Sequence, residues 1–100
     1  MTSMFDLSGK VAVVSGASSG LGADAARAYA EYGADVALLA RRLERLETLG
    51  EEIRATGRRA LAIRCDVTSE ESCRNAVEKV VEAYGRIDIL LNNAGVAVRG

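Results

Sequence analysis

The chain has 100 residues, 49% of them apolar, with 13 basic and 14 acidic side chains and no proline, tryptophan or histidine. Such a length and apolar share suit one small globular core, and the near-balance of charge gives no overall field that would draw nucleic acid or an anionic membrane surface. No apolar run approaches the ~18 residues of a membrane span. The N-terminal MTSMFDLSGK lacks a basic, apolar leader, so a cytoplasmic location is expected. The two cysteines, Cys65 and Cys73, form no C-x-x-C pair and have no histidine to join them. They read as reduced thiols with no metal or disulfide role.

Residues 10–15 read as a first strand, in which Val11-Ala12-Val13-Val14 is apolar without alternation, as in a strand covered on both faces. A helix follows from residue 20 to about 32, rich in alanine (Ala23, Ala25, Ala26, Ala28, Ala30) and stopped by Gly33. Residues 35–40, DVALLA, give a second strand. The helix over about 43–55 carries Leu43, Leu46, Gly50 and Ile53 on one stripe and is ended by Gly57. A third strand spans 59–65, closed by Asp66-Val67. Thr68-Ser69-Glu70-Glu71 has the T-x-x-E form of a capping box. The helix it opens places Cys73, Val77, Val80, Val81 and Tyr84 on one face and ends at Gly85. Residues 87–91 form a fourth strand that leads into Asn92-Asn93-Ala94-Gly95. Strict alternation of strand and helix predicts an α/β domain with a parallel sheet covered on both faces.

The chemistry is concentrated between the first strand and the first helix, where Ser15 is followed by Gly16, Gly20 and Gly22. Glycines there accept positive φ and let a ligand approach the backbone. The helix start adds unpaired N–H groups and the positive end of its dipole, which together suit a pyrophosphate. The string G-x-G-x-x-G/A, met by Gly20, Gly22 and Ala25, is a weak signal alone. The longer frame is more specific. Gly16-x-x-x-Gly20-x-Gly22 after a strand, with Asn92-Asn93-Ala94-Gly95 downstream, resembles the short-chain dehydrogenase/reductase family, whose motifs are T-G-x-x-x-G-x-G and N-N-A-G. Ser15 stands where that family usually has Thr, and both carry a hydroxyl. A glycine-rich turn that only lets helix and strand pack closely leaves the second motif unaccounted for. The resemblance implies a Rossmann-type doubly wound parallel sheet in the order 3-2-1-4, with the ligand across the carboxyl ends of the strands.

The resemblance also implies a dinucleotide and assigns its contacts. NAD-binding relatives usually carry an acid at the end of the second strand, where it takes the ribose hydroxyls. This chain has Ala40 followed by Arg41 and Arg42, and guanidinium groups suit a phosphate. The expected cofactor is therefore NADP(H), with Arg41 on the 2′-phosphate and Arg42 stacking on adenine or assisting. The alternative is a solvated helix start pairing with Glu44 or Glu47. Asp66 resembles the acceptor of the adenine amino group and Val67 its backbone neighbour; otherwise Asp66 is a turn residue helping to cap the next helix. Ser18 and Ser19 would put hydroxyls and N–H groups beside the phosphates. Leu21 would give its N–H to the pyrophosphate while anchoring the helix. Asn93 would border the adenine ribose and hold the fourth strand's end, Ala94 and Gly95 complete the motif, and Gly95 lets the chain pass close to the cofactor. Asn92 is expected to satisfy neighbouring backbone.

Family enzymes transfer hydride with a Ser and a Tyr-x-x-x-Lys pair. Here Tyr29, Tyr32 and Tyr84 are followed four residues later by Gly33, Val36 and Asp88, and the lysines are Lys10 and Lys79. No catalytic residue is assigned. The expectation is that residues 1–100 are the NADP-binding N-terminal portion of a longer single-domain reductase, whose Ser, Tyr and Lys lie beyond residue 100. That enzyme would interconvert a secondary alcohol and a ketone on a small-molecule substrate, as a homodimer or homotetramer. A non-catalytic NADP-binding module, a sensor or scaffold, is the other class. MFDLSGK and ARRLERLE resemble sugar-acid, hydroxysteroid and 3-oxoacyl reductases alike, which leaves the substrate open.

Overall fold

Five consecutive buried residues set the centre of the molecule: strand β1 (Val11–Ser15) is covered on both faces along its whole length. The computed structural model describes residues 6–18 and 20–93. After β1 come α1 (Gly20–Glu31), β2 (Asp35–Ala40), α2 (Leu43–Arg54), β3 (Ala60–Arg64), α3 (Glu70–Tyr84) and β4 (Ile89–Asn92). The four strands are parallel and lie in the order β3-β2-β1-β4, the topology the resemblance implies. Successive residues of β1 feed opposite cores. Ala12 and Val14 join Ala26 and Ala30 of α1 and Leu46, Leu49 and Ile53 of α2, while Val11 and Val13 join Ala76 and Val80 of α3. Small side chains on α1 let that helix lie close to the sheet.

Several elements differ from expectation, each for a local reason. β4 starts at Ile89 and not at residue 87. The Val11 N–H donates to the Asp88 carboxylate at 2.9 Å, and Asp88 N–H donates to the Val11 carbonyl at 2.9 Å. A side chain thus takes the place of a ladder carbonyl. In α2 the buried set is Leu46, Leu49, Gly50 and Ile53, and Leu43 sits exposed at the first helical position. The third helix begins one residue later than a Thr68 cap would have it. Ser69 is the cap, its Oγ accepting the Ser72 N–H at 3.1 Å, because the Thr68 hydroxyl and N–H both donate to Asp66 Oδ1. Gly85 ends this helix at φ +83°, a left-handed conformation that costs glycine nothing.

The inner face of α3 is rotated from the expected one. Ala76 and Val80 are buried, Cys73 and Tyr84 are half-buried, and Val77 and Val81 are 40% and 45% exposed. Leu90 of β4 is 65% exposed, and it lines one groove with Val77. The apolar stripe of α3 is wider than the four strands cover. No described helix is long and apolar enough to cross a membrane.

The amino ends of the strands are tied by paired charges. Arg59 meets Asp35 at 2.6 Å and lies over the Tyr84 ring at 4.6 Å; Arg86 meets Asp88 at 2.8 Å.

Two outcomes follow. A polypeptide of residues 1–100 alone is expected to self-associate through Leu90, Val77 and Val81, and Leu90→Lys with Val81→Lys should restore monomer in sedimentation velocity. A monodisperse unsubstituted monomer with a cooperative melt would contradict this. Asp88's carboxyl is held below its ordinary value, first by the Arg86 hydrogen bond and then by the Val11 N–H. A pKa depressed in the folded state gives stability that is present at neutral pH and lost as pH falls below about 4. In the full-length protein, Asp88→Asn should therefore melt lower than the unsubstituted chain at pH 7, with the difference shrinking on acidification. A difference that is constant with pH would sink this account.

Candidate functional site

β1 delivers its last residue into a turn whose backbone decides the shape of everything above it. Gly16 takes φ +70°. The Ala17 N–H then donates to the Leu39 carbonyl at 3.2 Å, fixing the turn to the end of β2. A Cβ on Gly22 would overlap the Gly16 carbonyl oxygen and lie 2.9 Å from its carbon, so the first turn of α1 rests directly on the turn that precedes it. Gly20 differs, since a Cβ there meets nothing within 4 Å. Gly20 and Gly22 thus have separate reasons. One is required by the protein's own packing, and the other leaves open space at a helix start.

The two motifs are bonded to each other. Ser15 Oγ donates to Asn92 Oδ1 at 2.8 Å, the Asn93 N–H donates to the Ser15 carbonyl at 3.2 Å, and Asn93 Nδ2 donates to the Gly16 carbonyl at 3.3 Å. Asn93 ties the end of β4 to the neighbouring backbone, as expected of it, whereas the Asn92 side chain accepts a hydroxyl and not the backbone expected for it. The Ser15 hydroxyl is the group in use, so Ser in place of Thr keeps the contact.

Above the carboxyl ends of the strands lies an open cleft of about 680 Å³. Of the expected site residues, Gly16, Ser18, Arg41, Arg42, Val67 and Asn93 line it. Ser15 lies buried beneath, and Gly22 is buried in the first turn of α1. Gly20, Leu21 and Asp66 are not on the lining, and Ser19, Ala94 and Gly95 fall outside the described residues. The Leu21 side chain is 78% exposed and does not anchor α1. That task falls to Gly22, Ala26 and Ala30, which repeat at i, i+4 along the buried face.

Asp66 is a turn residue in this structure. Its Oδ1 accepts the Thr68 hydroxyl at 2.7 Å and the Thr68 N–H at 3.0 Å. Its own N–H donates to Ser72 Oγ at 2.9 Å, tying the end of β3 to α3. Its carboxyl is held below the ordinary range first by the Thr68 hydroxyl and N–H, and more weakly by the charges of Arg41 and Arg64. Cys65 and Cys73 are free thiols, and burial pushes the Cys65 thiol up.

Three cleft residues have no site role in the sequence, Cys65, Arg45 and Arg64. Arg45 stands three residues beyond Arg42, and its N–H donates to the Arg42 carbonyl at 3.3 Å. Helical spacing was the signal for it. Arg64 is registered against Ala40 in the β2–β3 ladder, and only the strand register places it there.

Four arginines gather around the cleft. Elsewhere Arg27, Arg59, Arg74 and Arg86 are in ion pairs, while Arg54 gives its guanidinium to the Ala60 carbonyl. Among the described residues, Arg41, Arg42, Arg45 and Arg64 make no such pair, so the expected alternative of Arg41 or Arg42 pairing with Glu44 or Glu47 does not occur. A cluster of guanidinium groups without carboxylate partners, beside a glycine turn and a helix start, fits a polyanionic ligand with a phosphate on the Arg41 side.

The family model described as short chain dehydrogenase matches residues 10–100. An 11-beta-hydroxysteroid dehydrogenase of Pinus massoniana is 41% identical over 92 residues, which cover 91% of this chain and 26% of that protein. A metagenomic short-chain oxidoreductase crystallised with NADP is 45% identical at a TM-score of 0.85, over 91% of this chain and 41% of that one. L-sorbose reductase from Gluconobacter frateurii, complexed with NADPH and L-sorbose, is 40% identical at a TM-score of 0.87, over 92% of this chain and 35% of that one. The chain therefore spans well under half the length of these proteins.

The steric account of the turn separates its two glycines. In the full-length protein, Gly22→Ala should lower the melting free energy by about 1–3 kcal/mol, the usual cost of forcing extra volume into a packed site. Gly20→Ala should melt within experimental error of the unsubstituted chain. Differential scanning calorimetry of both variants checks this, and equal melting would show that the Gly16–Gly22 contact is not limiting.

Proposed function

Since the chain belongs to the short-chain dehydrogenase family, we propose that the full-length protein is an NADP(H)-dependent oxidoreductase that interconverts a secondary alcohol and a ketone on a small-molecule substrate. The observation that carries the cofactor choice is the end of β2. Ala40 stands where an acid would take the ribose hydroxyls, and the guanidinium groups around it have no carboxylate pairs among the described residues. A carboxylate there would repel a 2′-phosphate, whereas an arginine fork receives one. Two similar solved structures bound to NADP or NADPH lend the reading further support.

In this reading, backbone N–H groups of the turn from Gly16 to Gly22, with the hydroxyls of Ser18 and Ser19, hold the pyrophosphate. Leu21 contributes its N–H alone. Arg41 takes the 2′-phosphate and Arg42 the adenine face. The remaining free oxygen of Asp66, with Val67, borders the adenine, and Asn93 with Ala94 and Gly95 borders the ribose. Ser15 and Asn92 act beneath them by keeping β1 and β4 joined under the cleft. The bound nicotinamide supplies or accepts hydride. This chain's own residues bind and orient; the Ser, Tyr and Lys of the chemistry come from beyond residue 100. Residues 1–100 are thus the N-terminal cofactor-binding portion of a longer single-domain reductase, cytoplasmic and homo-oligomeric. The share of each relative's length that the chain spans supports this division.

Steady-state kinetics of the full-length protein with both cofactors test the proposal. kcat/KM should be higher with NADP(H), and Arg41→Ala should remove about 1.5–3 kcal/mol of that preference, the range for a charge-assisted contact. Equal or better use of NAD(H) by the unsubstituted enzyme would overturn it, and cofactor binding without turnover of any ketone or alcohol would favour the non-catalytic module.

A further inference from the structure

We propose that Arg64 is a second cofactor-selecting residue, which reaches past the small side chain of Ala40 and shares the 2′-phosphate with Arg41. The inference rests on the NADP(H) reading above. It starts from register. β2 and β3 are parallel, Ala40 is paired with Arg64, and the Cys65 N–H closes the next rung on the Ala40 carbonyl at 2.8 Å. Residues in register on neighbouring strands put their side chains on the same face of the sheet, about 5 Å apart. Arg64 therefore stands beside the position that decides between the two dinucleotides, where Ala40 presents only a methyl. Both residues line the cleft.

The second step is charge. A phosphate monoester carries about −1.5 to −2 at neutral pH. One guanidinium leaves it partly uncompensated in a cleft whose described lining carries no carboxylate. Arg42 is engaged with adenine in the reading above, which leaves Arg45 and Arg64 on the cleft lining for the remaining compensation, and of these Arg64 is the one in register with Ala40. Arg64 is available for it, since it forms no ion pair among the described residues. The nearest acid, Asp66, feels the charges of both Arg41 and Arg64, which places the two guanidinium groups in one region. Asp66 spends one oxygen on Thr68 and hydrogen-bonds neither arginine. The arrangement is a pair of forks from two adjacent strand ends with a small residue between them.

The test uses the full-length enzyme and three variants, Arg64→Ala, Arg64→Lys and Arg41→Ala, with NADPH and NADH as the probes. Arg64→Ala should raise KM for NADPH roughly tenfold while kcat/KM with NADH stays within about twofold, as expected for loss of one charge-assisted contact to a group that NADH lacks. Arg64→Lys should fall between, since an ammonium keeps the charge and loses the fork. Melting temperatures of the Arg64 variants should match the unsubstituted enzyme, because the residue is exposed and unpaired. If Arg64→Ala depresses both cofactors equally, the role is structural and the inference is overturned. If Arg41→Ala shifts the NADPH/NADH ratio and Arg64→Ala does not, the inference fails and the NADP(H) reading stands. A preference for NADH in the unsubstituted enzyme would remove the reading and the inference together.

Discussion

The approach of two backbones governs this structure. The first turn of α1 rests on the carbonyl of Gly16, and it can do so only because position 22 carries no side chain. That contact sets the angle at which α1 leaves the turn, and with it the direction of Ala26 and Ala30 into the core shared with α2. It also fixes the height of the turn above the sheet. The Asn93 side chain, reaching the Gly16 carbonyl, and the Asn93 N–H, reaching the Ser15 carbonyl, hold β4 to the same place. A residue with a Cβ at position 22 would have to move helix, turn and the end of β4 together, since interiors packed at this density transmit displacement.

The strand ends divide the charges between two jobs. At the amino ends, Asp35, Arg59, Arg86 and Asp88 neutralise one another, and the Asp88 carboxylate replaces a missing rung of the sheet ladder. Exposed pairs of this kind contribute little each, and the bond of Asp88 to the Val11 N–H marks where β4 begins. At the carboxyl ends Arg41, Arg42, Arg45 and Arg64 form no ion pair among the described residues. Like charges left together cost the isolated protein some repulsion. In the proposed reading the phosphates of a bound dinucleotide would offset that cost, favouring the occupied state over the empty one. In that reading, stability and binding are served by opposite ends of the same strands.

Where the reading of the sequence and the structure part, the cause is a choice among equivalent local partners. Thr68 and Ser69 can each cap a helix, and Thr68 lost because Asp66 takes both its hydroxyl and its N–H. Leu21 has the side chain of an anchor, yet the i, i+4 row of Gly22, Ala26 and Ala30 faces the core and leaves it outside. Val77 and Val81 repeat at helical spacing as correctly as Val80 does, but only the flank near Ala76 meets the four strands. Periodicity states that a face is apolar and does not state how much of it a sheet of given width will cover.

The sequence by itself determined the class, the alternation of elements, the glycine turn and the two arginines after the second strand. Each of these is written in short-range signals: apolar runs, stop residues and the spacing of residues with or without a Cβ. Family membership followed from the same residues, because two motifs some 70 positions apart agree on one fold. Tertiary structure decided which of those residues meet. The Ser15–Asn92 hydrogen bond joins residues 77 positions apart, and no local signal tells Asn92 from Asn93 as its acceptor. Arg64 enters the cleft through its register with Ala40, set by how far β3 slides along β2. Register depends on the length and path of the intervening helix and on which face must be buried, quantities that belong to the folded chain as a whole.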